Sequence, residues 1–337
     1  MVDRPGVRAA VVGTGLIGGS VLLRLHAAGV DVTGWDPDEG TRREARRLGV
    51  PAPERLVEAV ADRDVVFLCG PLPTLPVTLV EVAALTGERC VLTDVGSTKE
   101  EVAAFAATHG LTHRFVPGHP MAGTDRAGLT AAGPELLTGA AWVLCPATGP
   151  ATTAFRWLAE LLVDLFGARV VPMSPAEHDS AAALASHVPH LLAGALAGAV
   201  QRAPLRDAIL ALAAGSFSDG TRVAGTPAGR TANMLLGNRE RVLRELAEVT
   251  AFLDDLTVAL RAGDAPALTA RYDEARAARA ALRERRFDAY DGRFPIGGDH
   301  VAEVSWLREL GVAGGHLTGL HVGVDTVSYA ARRPTAD

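Results

Sequence analysis

Short apolar runs and helix-length periodic segments take turns from residue 8 to residue 172, and beyond 174 the short runs stop. Residues 8–12, 31–35, 64–69 and 90–94 read as strands. The third is unbroken in apolar residues from Val65 to Cys69, as a strand covered on both faces requires. Helical spacing at 21–28, 38–48 and 75–86 fills the intervals, and strands at 142–145 and 169–172 flank a helix at 151–166. Such alternation predicts a parallel sheet with right-handed crossovers and ligands beyond the carboxyl ends of its strands. Residues 176–201, 205–214, 239–261 and 265–287 show helical periodicity alone, so a second, all-helical domain is expected to begin near Met173. Its long alanine-rich helices suggest packing between subunits. From 291 the pattern changes again: 294–298 reads as a linker, 301–310 as a short helix, and 316–331 alternates like a hairpin.

The first strand runs into Gly13-Thr14-Gly15-Leu16-Ile17-Gly18-Gly19-Ser20 and then a helix. Gly13 permits the turn, Gly15 lets backbone approach a pyrophosphate, and Gly18 lets helix pack on strand, while the helix N-terminus faces the phosphates. The second strand ends at Asp36, where an acidic residue would hold the adenosine ribose. A carboxylate there repels a 2′-phosphate, which favours NAD over NADP. The expected class is therefore α/β, a Rossmann-type NAD-binding domain over 1–172 followed by a helical substrate and dimerisation domain over 173–290, with a tail over 291–337. Gly70, after the third strand, and the segments 94–99 and 117–123 fall at the ligand-binding edge.

Composition narrows the partners. Net charge is −6 with no basic block, which argues against nucleic acid and anionic membranes. No signal-peptide core is visible at the start, and Cys69, Cys90 and Cys145 lie far apart, as buried free thiols of a reducing cytoplasm would. Residues 180–200 lack formal charge and contain Gly194-x-x-x-Gly198, but His187, Pro189 and His190 interrupt them; a helix buried between neighbouring helices is expected. Of 33 lysine and arginine residues one is a lysine, Lys99. So strong a bias retains lysine where a wide planar guanidinium would not serve and a compact charge does.

Four segments could carry chemistry. Asp94-Val95-Gly96-Ser97-Thr98-Lys99 opens a helix that Ser97 or Thr98 could cap, and Ser97 could instead bond a neighbouring catalytic group. In Pro117-Gly118-His119-Pro120, flanking glycine and proline place His119 on a loop, where an imidazole could take a hydroxyl proton as hydride leaves the same carbon. Glu177-His178-Asp179 and Ser186-His187-Val188-Pro189-His190 form the third group; His187 and His190, three apart, suit a metal, a substrate contact or helix packing. With no carboxylate spaced to complete a ligand set, no metal is expected. Arg222, in a loop-like stretch between helices, could grip a carboxylate in bidentate fashion.

Taken in order, the glycine motif, Asp94-x-x-Ser97-x-Lys99, Gly118-His119-Pro120-Met121-Ala122-Gly123-Thr124, His178-Asp179, Ser186-His187-x-Pro189-His190 and Thr221-Arg222 resemble the prephenate/arogenate dehydrogenases of tyrosine biosynthesis over roughly residues 8–287. The resemblance implies a homodimer formed through the helical domain. It makes His119 the catalytic histidine on the ring 4-hydroxyl and Ser97 the serine that orients it. Substrate contacts fall on His187, His190, Arg222 and Ser218, and NAD contacts on Gly13, Gly15, Leu16, Ile17, Gly18, Asp36, Gly70 and Lys99. The implied reaction moves hydride from the 4-hydroxyl carbon to NAD and expels the ring carboxylate as CO2. Many relatives carry lysine where Ser218 stands and a Trp-x-Asp near Thr231-Ala232-Asn233, both absent here, which leaves prephenate, arogenate or an amino-substituted prephenate open. A β-hydroxyacid-type dehydrogenase would need a lysine in the helical domain. A non-catalytic NAD-sensing dimer would not need intact Ser97, His119 and Arg222. The tail is too short for a whole ACT domain and reads as a partial remnant, a dimer arm or something else.

Overall fold

The computed structural model describes residues 6–335. Strands β1 (Arg8–Val12), β2 (Asp31–Trp35), β3 (Val65–Leu68), β4 (Val91–Asp94) and β5 (Phe115–Val116) form a parallel sheet in the order β2-β1-β3-β4-β5. The chain passes Pro117 into β6 (Gly118–Pro120), which pairs antiparallel with β7 (Ala141–Leu144); β7 pairs in parallel with β8 (Arg169–Pro172). Helices α1 (Leu16–Ala27), α2 (Glu39–Arg47), α3 (Leu56–Val60), α4 (Leu75–Leu85), α5 (Glu100–Thr108) and α6 (Pro150–Phe166) supply the crossovers. β3 is buried at every position, as its unbroken apolar run requires.

Two apolar layers follow from this arrangement. One joins β1, β3 and α1 to α6, and the other joins the same sheet to α3, α4 and α5. The helical region lacks a comparable core. Its α7 (Pro175–Ala182) and α8 (Val188–Gln201) are separated by one π turn, Ala183–His187, where an unbroken helix was expected. There follow α9 (Arg206–Leu212), α10 (Gly215–Thr221), α11 (Ala228–Gly237), α12 (Arg239–Ala262) and α13 (Ala265–Glu284). Only Ala183, Val188 and Val242 form a buried cluster there. The expectation that 180–200 is buried fails within a single chain. Of the most apolar stretch in Pro175–Gln201 just 22% is buried, and Leu184, Leu192 and Leu196 face outward.

The tail does not stand apart. Strands β9 (Phe287–Ala289), β10 (Gly292–Pro295), β11 (His316–Val322) and β12 (Thr326–Pro334) and helix α14 (Val301–Val312) return to the first domain. β11 pairs with β8 through Leu317 and Val170, so the second sheet runs β10-β12-β11-β8-β7-β6. The expected linker at 294–298 is half strand: Phe294 and Pro295 pair with Val327 and Thr326, on an edge where proline's missing donor costs nothing. Leu307, Leu310, Leu317 and Tyr329 share the core of α6. Arg156 of α6 bonds Glu303 of α14, both buried, and the Tyr329 hydroxyl donates to the same carboxylate.

Candidate active site

The glycine turn has the shape its spacing predicts. Gly13 has φ +92°, and a Cβ there would lie 2.7 Å from the backbone nitrogen of Gly70, so β1 and the end of β3 touch through two glycines. A Cβ on Gly18 would meet the Gly13 carbonyl at 2.0 Å. Around Gly15, by contrast, nothing lies within 4 Å of that position. Gly15 also leads α1, whose N-terminus has no side-chain cap, so its first N–H groups have no side-chain acceptor. A pyrophosphate fits that cradle. Asp36 closes it from β2: its carboxylate accepts the Thr14 N–H at 2.8 Å and the Asp38 N–H at 3.0 Å. The nearby guanidinium of Arg42 is committed to Asp36 and Pro37 carbonyls and to Glu54.

At the end of β4 the fully buried Asp94 carboxylate receives the Gly96 N–H at 2.9 Å and the Gly118 N–H at 3.1 Å. Its remaining partner is the ammonium of Lys99, also fully buried. Lys99 therefore points inward and is held by Asp94, near enough to act on His119. A compact charge in a sealed space is what its retention suggested.

The cap expected from Ser97 or Thr98 is also absent. Helix α5 starts after Lys99 with no cap of its own. Its free donors go to Asp179 instead: Lys99 N–H to Oδ1 at 2.8 Å and Glu100 N–H to Oδ2 at 2.9 Å. Asp179 sits on α7, which begins with a reciprocal Ser174–Glu177 capping box. A distant carboxylate serves as well as a local one because a helix N-terminus needs acceptors, wherever they originate.

His119 lies in strand β6 rather than on a loop. β6 is a three-residue edge strand, which tolerates Pro120. His119 Nδ1 is 2.9 Å from His178 Nε2, and His178 Nδ1 is 2.7 Å from Asp179 Oδ1. Among the described residues no hydrogen bond joins Ser97 to His119; the orienting bond comes from His178. Burial, then His178, Lys99 and His187, hold His119 well below the usual imidazole range, so it is neutral at physiological pH. Burial likewise lowers His187 to about 4. Asn238 fixes this side by donating to the Asp179 carbonyl at 2.7 Å, with its amide 3.2 Å from His187 Nδ1. His178, Asp179, Asp94 and Asn238 were not among the expected site residues, although Asp94 and His178-Asp179 stood in quoted motifs.

His187 ends the π turn, fully buried, and its Nε2 has no partner; π turns of this kind recur at functional sites. His190, half-buried on α8, has an unpartnered Nδ1. Burial lowers its pKa first, then the nearby Arg230 and Arg222. Arg222 opens a 3-10 turn, Arg222–Gly225, directly after α10 rather than lying in a loop, and Ser218 precedes it by one helical turn. Neither arginine has a carboxylate partner among the described residues, although Arg230 donates to the Thr124 carbonyl at 3.2 Å. Among the described residues no group of three or more His, Cys, Asp or Glu side chains is placed to hold a metal.

A glycine cradle on a parallel sheet, a half-buried neutral histidine held next to the end of β4, and arginines of the helical region without carboxylate partners among the described residues define a nucleotide-binding oxidoreductase of two domains. Residues 20–172 match the nucleotide-binding domain of prephenate dehydrogenase, and residues 174–274 match its dimerization domain. The chain is 32% identical over 280 residues to the cyclohexadienyl dehydrogenase of Zymomonas mobilis, covering 81% of this chain and 95% of that one. In structure it is similar to a putative prephenate dehydrogenase from Corynebacterium glutamicum, with TM-score 0.79, 28% identity and 91% and 98% of the two chains covered. It is also similar to prephenate dehydrogenase from Aquifex aeolicus in complex with hydroxyphenyl propionate and NAD+, with TM-score 0.75, 25% identity and 82% and 98% covered. The chain belongs to the prephenate dehydrogenase family.

Proposed function

We propose that the protein oxidises prephenate or arogenate with NAD, releasing CO2, and that His119 is the base that takes the proton of the ring 4-hydroxyl. The observation that carries this is the neutral, half-buried His119 on β6, next to the Gly118 whose N–H is held by Asp94 at the end of β4, in the parallel sheet that also carries the open Gly15 cradle. Gly13, Gly15, Gly18 and Gly70 form the nucleotide cradle, with Asp36 toward the ribose. Bound NAD supplies the hydride acceptor. An uncharged imidazole is the form that can accept a proton.

Arg222, with no carboxylate partner among the described residues, holds a substrate carboxylate; His190 near it has an unpartnered Nδ1, and His187 lies deeper behind. Ser218, on the same helix face as Arg222, puts a neutral hydroxyl where relatives carry lysine, so arogenate's ammonium meets no like charge there. A single such contact is worth about 1–2 kcal/mol, which admits arogenate without excluding prephenate. The protein works as a homodimer: the outward Leu192, Leu196, Leu243 and Leu253 of α8 and α12 are apolar surface that a second helical domain would cover.

The test is NADH production by the purified protein with prephenate and arogenate side by side. Both should be oxidised, with arogenate at least comparable. His119→Asn should lower kcat by about 10²–10⁴ with NAD binding intact. Full turnover by that variant would remove His119 from the chemistry.

A further inference from the structure

The proton that His119 accepts needs somewhere to go, because burial and its positively charged or chargeable neighbours oppose an imidazolium at that position. We infer that the His178–Asp179 pair of α7 sets the tautomer of His119 and then stores the reaction's proton. This rests on His119 being the base.

The direction of the chain of bonds follows from its far end. Both oxygens of Asp179 accept backbone N–H groups, from Lys99 at 2.8 Å and Glu100 at 2.9 Å, and a backbone N–H can only donate. Burial works against the charge on Asp179, but the bonds from His178, Glu100 and Lys99 overcome it and hold the carboxyl below its usual range. An ionised carboxylate is an acceptor only, so the 2.7 Å bond is donated by His178 Nδ1–H. In the resting arrangement that this proposal assigns, His178 Nε2 accepts from His119 Nδ1–H across 2.9 Å. His119 is left with its lone pair on Nε2, the form a general base requires.

The charged groups around the pair decide where a proton settles. His119 faces Lys99 from the β4–α5 connection, His178 from α7 and His187 from the π turn, all of which oppose positive charge. Asp94, the acidic group on that side, is already bonded to Lys99. His178 Nδ1 lies 2.7 Å from the Asp179 carboxylate. In the step, the substrate hydroxyl proton goes to His119 Nε2 and the His119 Nδ1 proton goes to His178 Nε2, while His178 keeps its Nδ1 proton toward Asp179. His119 ends neutral, and the positive charge rests beside a carboxylate. No electrons move within the chain. Reversal, with loss of the Nε2 proton of His119 to water, restores the starting tautomers.

His178→Gln separates storage from orientation. Its amide oxygen can accept the His119 Nδ1–H and preserve the tautomer, but it cannot take up a proton. Single-turnover oxidation should slow by roughly 10²-fold, the low end for a positioned acid–base group, with NAD affinity and KM little changed. Wild type should show a bowed proton inventory in mixed H2O and D2O, two protons moving together, and His178→Gln a linear one. Full-rate turnover by His178→Gln, or a linear inventory in wild type, would overturn the storage role. Nitrogen-15 shifts of labelled histidines in the unmodified protein give a check that needs no variant: His119 should carry its proton on Nδ1, and a proton on Nε2 would overturn the assignment. A fully active His119→Asn would instead remove the base itself, an outcome distinct from either.

Discussion

Replacing Lys99 by Met is the sharpest test of how the first domain holds its catalytic edge. Both Lys99 and Asp94 are fully buried and bonded to one another. Met fills nearly the same volume, so the change removes charge with little loss of packing. Asp94 would keep the N–H bonds of Gly96 and Gly118 but would lose its only cation. A buried charge stripped of its partner costs about 3–5 kcal/mol. At roughly 2–4 °C per kcal/mol for a domain of this size, melting should fall by about 10 °C. Lys99→Arg should not rescue it, because a planar guanidinium has no room in a site with no exposed surface. The double variant Lys99→Met, Asp94→Asn should recover most of the loss, since both charges go together. Melting followed by circular dichroism, with NAD affinity as a check on folding, measures all three. A single variant that melts within about 2 °C of wild type, or a double variant no better than the single, would refute the reasoning.

Three further outcomes follow from the same structure. With Asp36 at the ribose end of the cradle and Arg42 held by Glu54, NAD should be preferred over NADP by at least about tenfold in kcat/KM, and Asp36→Ser should narrow the gap; equal values in wild type would be contrary. Glu303→Ala leaves Arg156 and the Tyr329 hydroxyl buried without their acceptor, so it should cost about 3–5 kcal/mol and loosen hydrogen-exchange protection across β11 and β12; unchanged exchange would disprove the clasp. His187 is buried neutral with its pKa lowered from 6.5 to about 4, so the unfolded chain binds its proton more readily. Its share of stability, about 3 kcal/mol, should be present above pH 6.5 and be lost as pH falls toward 4, and His187→Gln should flatten that slope in melting curves.

What the chain discloses in advance is what depends on neighbours in sequence. The glycine turn is legible because Gly13, Gly15 and Gly18 act on one another within six residues, and the Gly13 carbonyl does lie against Gly18. β3 is legible because burial on both faces writes an unbroken apolar run. The tail's hairpin shows its alternation, yet its docking does not, since the Leu317–Val170 pairing joins segments with no shared pattern. The outward face of α8 misleads for a related reason: periodicity reports that a face is apolar, not which chain covers it.

The catalytic edge rests on a distant relation that the local sequence does not disclose. Helix α5 opens on Lys99, Glu100 and Glu101 with no cap of its own, so its first N–H groups need an acceptor from elsewhere. Asp179, 80 residues on from Lys99, provides it, and the same carboxylate anchors His178. One side chain thus fastens the helical domain to the sheet domain and sets the proton on His119. The two tasks cannot be separated by mutation at Asp179: a change that frees the histidines also uncaps α5. They can be separated at His178, which bonds only sideways, to His119 and to Asp179. The sequence offers Ser97 and Thr98 as caps for α5; the structure leaves them unused, and Asp179 on α7 supplies the carboxylate that the helix start needs.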